Sequence, residues 1–178
     1  ILFKGEDITG LKPYEICRRR LARTFQAVNL FFDMTAFENV LIAARFGAQE
    51  KKAPAGKEAL NFLEVVGLAA KAGIPAKDLT VAEQKRLEIA RAMATRPDLL
   101  LLDEVMAGLN ATEVTSVLEL IRDIREKGIT LFLIEHIMHA IMGISDRIIV
   151  LHYGEKMAEG TPEQITTNRK VIEVYLGE

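Results

Sequence analysis

Apolar residues fall along this chain in two rhythms. Short unbroken runs at Leu99–Leu102, Ile129–Ile134 (Thr130 aside) and Ile148–Leu151 have the length and composition of buried strands. Between them the spacing lengthens to three or four. Val114, Val117, Leu118, Ile121 and Ile124 predict a helix over Thr112–Lys127. Phe37, Val40, Leu41 and Ala44 predict another over Thr35–Phe46, and Leu60, Leu63 and Val65 or Val66 a third over Lys57–Val66. Further helices are expected over Val81–Thr95 and around Ile137–Met142. Near the start, Ile1–Lys4 reads as a short strand, Gly5-Glu6-Asp7 as a turn, Pro13–Arg20 as a helix and Leu21–Phe25 as a strand. Gly47–Gly56 is polar, with Pro and Gly, and predicts an exposed loop. Strand Arg147–His152 enters a hairpin around Tyr153-Gly154. Thr161-Pro162-Glu163-Gln164 then offers a cap, a proline at the first helical position and a glutamine three after the cap.

Strands alternating with helices predict an α/β fold with a mostly parallel sheet. A single helix joining the runs at 99–102 and 129–134 makes them parallel neighbours, and such continuous apolar strands need helices on both faces. A helical insert, residues 35–96, separates the first strands from the later sheet. The 178 residues, 49% hydrophobic and 27% charged, suffice for a globular domain with its own core and exclude a disordered tail. A net charge of −2 disfavours a nucleic-acid binder. No apolar run approaches the roughly 20 residues that span a bilayer. The single cysteine, Cys17, excludes an internal disulfide and suits a reducing compartment. No signal-peptide pattern is present. The chain starts at Ile1, without a methionine and directly in strand-like residues, which is expected of a piece of something longer.

The strongest chemical feature is Leu99-Leu100-Leu101-Leu102-Asp103-Glu104, a strand delivering two carboxylates at its carboxyl end, where open α/β sheets bind ligands. An Asp there can hold Mg²⁺ and the adjacent Glu can polarise a water, the arrangement called Walker B. A buried strand that merely ends in a charged turn looks the same. The run 129–134 leads through Glu135 to His136, expected at the same sheet edge, where an imidazole can donate to a terminal phosphate or simply cap the next helix. His136 and His139 share a helix face, yet the order is not HExxH and no cysteine is near, so zinc is disfavoured. Leu79-Thr80-Val81-Ala82-Glu83 has the form of a capping box, Thr80 with Glu83, and equally of a helix start that receives phosphate. Gln26 follows a strand at the entry to the helical insert; alone it is a surface-loop glutamine.

In this order and spacing the pieces resemble an ABC-transporter ATPase. Gln26 matches the Q-loop, Leu79–Gln84 the LSGGQ-type signature, Asp103-Glu104 Walker B, Ala107-Gly108-Leu109-Asn110 the D-loop and His136 the switch histidine. The stretches 22–44, 134–151 and 160–178 are similar to the ATP-binding subunit of branched-chain amino-acid importers, and the resemblance spans essentially the whole chain. It implies a P-loop NTPase core with an inserted α-helical subdomain. The division would be 1–34 (remnant of the ATP-binding core with the Q-loop), 35–96 (helical subdomain with the signature helix) and 97–178 (core with Walker B, D-loop, switch histidine and C-terminal elements). It implies ATP and Mg²⁺ as ligands: Asp103 and Gln26 at the metal, Glu104 as general base, Gln26 and His136 in catalysis. Thr80, Val81, Ala82, Glu83 and Asn110 would contact nucleotide, the signature acting on ATP held by another subunit. The implied partners are transmembrane permease subunits, a second ATPase subunit and, indirectly, a substrate-binding protein. The implied location is cytoplasmic, peripheral on the inner face of the cell membrane.

Three departures qualify the resemblance. No GxxxxGK[ST] phosphate loop occurs, so the chain is expected to be truncated at its N-terminus and not to bind ATP productively by itself. The signature has Ala82 and Glu83 where the family has Gly and Gln, adding a methyl and a negative charge near phosphate. Val105 replaces a proline. Arg18, Arg19, Arg20 and Arg23 form a basic cluster expected to be a solvated face. Phe31, Phe32, Met34 and Phe37 are either core or, as the resemblance implies, a docking patch for a permease helix. The alternatives to a transport ATPase are a non-hydrolysing module of the same fold and a soluble, non-transport ABC ATPase.

Overall fold

The computed structural model describes residues 1–47 and 54–176. Most of the loop expected over Gly47–Gly56 therefore lies outside the described residues. The chain divides into two compact units, residues 1–135 and 136–178.

The first unit opens with β1 (Leu2–Phe3) and β2 (Glu6–Asp7), paired antiparallel. Here the sequence expectation is corrected. The reversal lies at Lys4-Gly5, with φ of 51° and 81°, and Glu6-Asp7 form the returning strand rather than the turn. A two-residue hairpin turn with positive φ at both positions matches strand twist, and glycine adopts it without strain. Helix α1 (Pro13–Arg18) follows, and then β3 (Leu21–Arg23).

Helices α2 (Ala36–Phe46), α3 (Ala55–Val65) and α4 (Val81–Ala94) pack on one another as the helical insert, with Val40, Leu63, Leu87 and Ile89 fully buried. Thr35 starts α2 with a reciprocal capping box: its hydroxyl accepts from the Glu38 N–H at 3.2 Å, and its own N–H donates to the Glu38 carboxylate at 2.8 Å. Strand β4 (Leu99–Asp103), helix α5 (Ala111–Glu126) and β5 (Thr130–Ile134) complete the unit. The sheet is parallel in the order β3-β4-β5, with Leu21 opposite Leu99 and Leu99 opposite Thr130.

This register lines Arg23, Leu101 and Phe132 across one face and Ala22, Leu100 and Leu131 across the other. Leu100 and Leu102 are fully buried, whereas Phe132 and Ile134 remain 49% and 51% exposed. Both strands were expected to be buried on both faces. The sheet instead buries one face and leaves Phe132 and Ile134, on the other, half exposed.

In the second unit, α6 (Met138–Ile144) precedes the antiparallel hairpin of β6 (Ile148–His152) and β7 (Glu155–Gly160). The predicted turn at Tyr153-Gly154 is present, both residues at positive φ. Helix α7 (Pro162–Thr166) is capped by Thr161 as the sequence indicates, and α8 (Arg169–Val171) runs into a final turn. Ile148, Val150, Ile165 and Val171 form the core of this unit. No helix among the described residues is long and apolar enough to cross a membrane.

Candidate functional site

The site gathers where β3 and β4 end side by side. Strand β4 is specified by its leucines, and its last residue, Asp103, stands two residues beyond the Arg23–Leu101 pair. Thr24, fully buried, joins the two strand ends: its N–H donates to the Leu101 carbonyl at 2.9 Å, and its hydroxyl accepts from the Asp103 N–H at 3.1 Å. Thr24 thus ties the junction twice, once through its main-chain N–H and once through its hydroxyl.

The chain then turns sharply at Glu104, which has φ +46°. A non-glycine residue in the left-handed region must be held there by its surroundings. Three contacts do so. The Glu104 N–H donates to the Ile134 carbonyl at 2.9 Å, its carbonyl accepts from the Ala107 N–H at 3.2 Å, and the same carbonyl accepts from Lys85 Nζ at 3.0 Å. One turn later the Met106 N–H donates to Glu135 Oε1 at 2.8 Å. The result is that the Glu104 carboxylate reaches Gln26, whose Nε2 donates to Oε2 at 2.8 Å. Residues 78 positions apart in sequence, singled out separately, meet here.

Asp103 does not stand open. Arg23 Nη2 pairs with its Oδ2 at 2.7 Å while the guanidinium lies 5.5 Å over the Phe25 ring. Arg23, Phe25, Gln26, Ala27, Val28, Asn29 and Asp103 line an open groove of about 440 Å³. The basic cluster is exposed, as expected of a solvated face, and three of its arginines are paired there. Arg19 pairs with Glu6 at 3.1 Å, Arg20 with Asp98 at 2.8 Å, and Arg23 with the candidate metal-facing carboxylate.

The signature segment begins α4. Thr80 caps it, its hydroxyl accepting from the Glu83 N–H at 3.3 Å while its own N–H donates to Glu83 Oε2 at 3.1 Å. Lys71 Nζ donates to Glu83 Oε1 at 2.5 Å. That hydrogen bond, ahead of the cap contacts, holds the Glu83 carboxyl below the usual range. The charge that Glu83 adds at the helix start is therefore matched by a lysine. Val81 is exposed and Ala82 half-buried at the same helix start. Asn110 caps α5 in the same reciprocal way, with Glu113 as its partner at 3.0 and 2.9 Å. His136 is exposed and opens the second unit, two residues past the end of β5.

Sequence reasoning missed the residues that hold the site together. On α4, Lys85 and Glu88 are buried at 5% and 6% exposure. Glu88 Oε1 accepts from the N–H groups of Phe25 at 3.2 Å and Asn29 at 3.3 Å, clasping the loop that carries Gln26. Burial pushes the Glu88 carboxyl above the usual range, against the lowering effect of those two N–H groups and of Arg91 and Lys85. Arg91 donates to the Asn29 carbonyl and stacks 4.8 Å over Phe31. Asn39, fully buried, fixes the following turn through the Phe31 N–H and the carbonyls of Phe31, Met34 and Thr35. The available signal was the spacing Lys85, Glu88, Arg91 along a helix otherwise rich in apolar residues. Charge repeating every third position on a largely buried helix marks a polar seam.

The ABC transporter family profile matches residues 1–107, and one described as branched-chain amino acid ATP-binding cassette transporter matches residues 155–178. The high-affinity branched-chain amino acid transport ATP-binding protein BraF of Pseudomonas aeruginosa is 45% identical, over 100% of this chain and 76% of that protein. LivG of Escherichia coli, with the same description, is 44% identical over the same shares. Among solved structures, the ADP conformation of MJ1267, an ATP-binding cassette of an ABC transporter, superposes with a TM-score of 0.84 at 28% identity, covering 99% of this chain and 76% of that one. A nucleotide-free ATP-binding cassette gives 0.83 at 26%, covering 99% and 76%. The chain belongs to the ABC-transporter ATP-binding family, with the P-loop NTPase fold of its ATPases.

Proposed function

We propose that this ABC-transporter ATPase energises an importer of branched-chain or other amino acids, with Asp103, Glu104 and Gln26 as its hydrolytic centre. The substrate assignment rests on the printed functions of the relatives. The observation that carries the site is the 2.8 Å contact between Gln26 and Glu104, beside Asp103 at the end of β4. Three oxygen-bearing side chains at the adjacent ends of β3 and β4 suit MgATP, since Mg²⁺ takes one or two protein ligands together with water and phosphate oxygens. Bound Mg²⁺ would offset the charge that builds up on the phosphates.

The chain's own residues divide the remaining work. Asp103 and Gln26 would hold the metal, Asp103 once released from its ion pair with Arg23. Glu104 accepts the proton of the attacking water, and Gln26 orients that carboxylate and reports nucleotide state to the permease. His136 donates to the terminal phosphate. Thr80 to Glu83 close over ATP on a second ATPase subunit, and Asn110 lies at the same subunit junction. Residues 1–34, 35–96 and 97–178 act as core, helical subdomain and second part of the core. The protein sits peripherally on the cytoplasmic face of the membrane, against permease subunits served by a substrate-binding protein. Phe31 and Phe32, 45% and 43% exposed on a turn tied down by Asn39, form the docking patch with Met34.

In the assembled transporter, Glu104→Gln should abolish ATP turnover while retaining bound ATP; unchanged hydrolysis would remove Glu104 as the base. A charged residue at Phe32 should weaken permease association and leave the thermal midpoint unchanged. An unfolded variant would assign Phe32 to the core. The 178 residues contain no GxxxxGK[ST]. By themselves they should show no micromolar MgATP binding in calorimetry.

A further inference from the structure

Helix α4 carries the signature at its first turn, but its next turns face the hydrolytic centre. Lys85, Glu88 and Arg91 recur every third residue and put a continuous polar edge against two separate pieces of backbone. Glu88 Oε1 takes the N–H groups of Phe25 and Asn29, the residues that flank Gln26. Arg91 takes the carbonyl of Asn29 and covers Phe31. Lys85 takes the carbonyl of Glu104, at the one residue of the Walker B segment with positive φ. Among the described residues, none of the three side chains hydrogen-bonds the side chains of Gln26, Asp103 or Glu104. Their hydrogen bonds at the site all go to main chain, and Arg91 also covers the Phe31 ring.

We infer that α4 braces the candidate catalytic pair from behind, Glu88 positioning Gln26 through the Phe25 and Asn29 amides and Lys85 positioning Glu104 through its carbonyl. This rests on the assignment of Gln26 and Glu104 to hydrolysis and extends it. The two clamps sit on one rigid helix, one turn apart, so the Gln26–Glu104 distance is set by the pitch of α4. Any movement of α4 shifts both partners together. A rotation that frees one clamp and keeps the other breaks their contact. The signature end of the helix, which the family reading places against ATP on another subunit, is thereby linked mechanically to the chain's own hydrolytic pair. Hydrogen-bonded main-chain anchors suit this task because a buried carboxylate or ammonium accepts no other partner without desolvation cost.

Two measurements test it. In the 178-residue chain, hydrogen–deuterium exchange at residues 25–29 should quicken about tenfold in Glu88→Met, which removes the acceptor, and stay near wild type in Glu88→Gln, which keeps an acceptor oxygen. Equal exchange in both variants overturns the clamp, with no reference to catalysis. In the assembled transporter, Glu88→Met and Lys85→Met should each lower kcat for ATP about tenfold with KM within about twofold, and Lys85→Arg should restore most of the loss. Glu88→Met should add nothing to Gln26→Ala, since both act through one side chain. Additive losses, or losses in KM alone, overturn the positioning role. If Glu104→Gln leaves hydrolysis intact while the exchange result holds, the hydrolytic reading fails and the clamp stands.

Discussion

Two glutamates five residues apart on α4 live under opposite rules. Glu83, in the exposed first turn, closes a capping box with Thr80 and pairs with Lys71. Its partners sit within 12 residues of it. Glu88, at 6% exposure, satisfies two amides some 60 residues away and has its pKa raised by burial. Glu83 sets where the helix begins. Glu88 sets where another part of the chain lies. A carboxylate at a helix start acts locally and is legible from spacing; a buried one is placed by the tertiary contacts that it completes.

The sharpest way to break this comparison is Glu88→Met. It strands two amides and leaves Arg91 without its nearest countercharge, and should cost about 2 kcal/mol of unfolding free energy in urea. Thr80→Ala should cost about 1 kcal/mol, the usual loss of a cap, and leave exchange at residues 25–29 unchanged. Lys71→Met, which removes a half-exposed pair, should cost about 0.5 kcal/mol, less at high salt. A larger loss at Lys71 than at Glu88 would invert the distinction.

The pH dependence sharpens it further. The Glu83 carboxyl is held below its ordinary value. The unfolded chain therefore binds that proton more readily, and the stability it contributes is present above the ordinary glutamate pKa and lost as pH falls through the folded value. The Glu88 carboxyl is raised by burial. Here the folded state binds the proton more readily, so its contribution declines as pH rises from the ordinary value through the raised one. Relative to Glu83→Gln, the wild type should gain stability from pH 3 to 7. Relative to Glu88→Gln, it should lose stability from pH 4 to 7. Urea titrations at these pH values decide both signs.

The legible parts of the molecule were those governed by neighbours in sequence. Leu99–Leu102 specified a buried strand, the 114–124 repeat a helix, and Thr161-Pro162 a helix start, because periodicity and capping are properties of a few consecutive residues. Asp103, Glu104 and Gln26 were legible as candidates because their residue types follow strand ends. The misplaced turn at Gly5 erred by a residue, since Lys4 adopts positive φ against its usual preference. The open face of β5 was unforeseen because an apolar run has the same composition whether one face or both are covered.

The sequence by itself determined the family, the order of strands and helices, and which residues had the chemistry for phosphate hydrolysis. Only the tertiary structure decided that Arg23 pairs with Asp103, that Lys71 balances Glu83, and that Lys85 and Glu88 brace the two halves of the centre. The physical reason is range. Hydrophobic periodicity and caps are fixed within one turn or one strand. The partner of a buried charge is chosen by whichever distant backbone group arrives unsatisfied beside it once the core has closed.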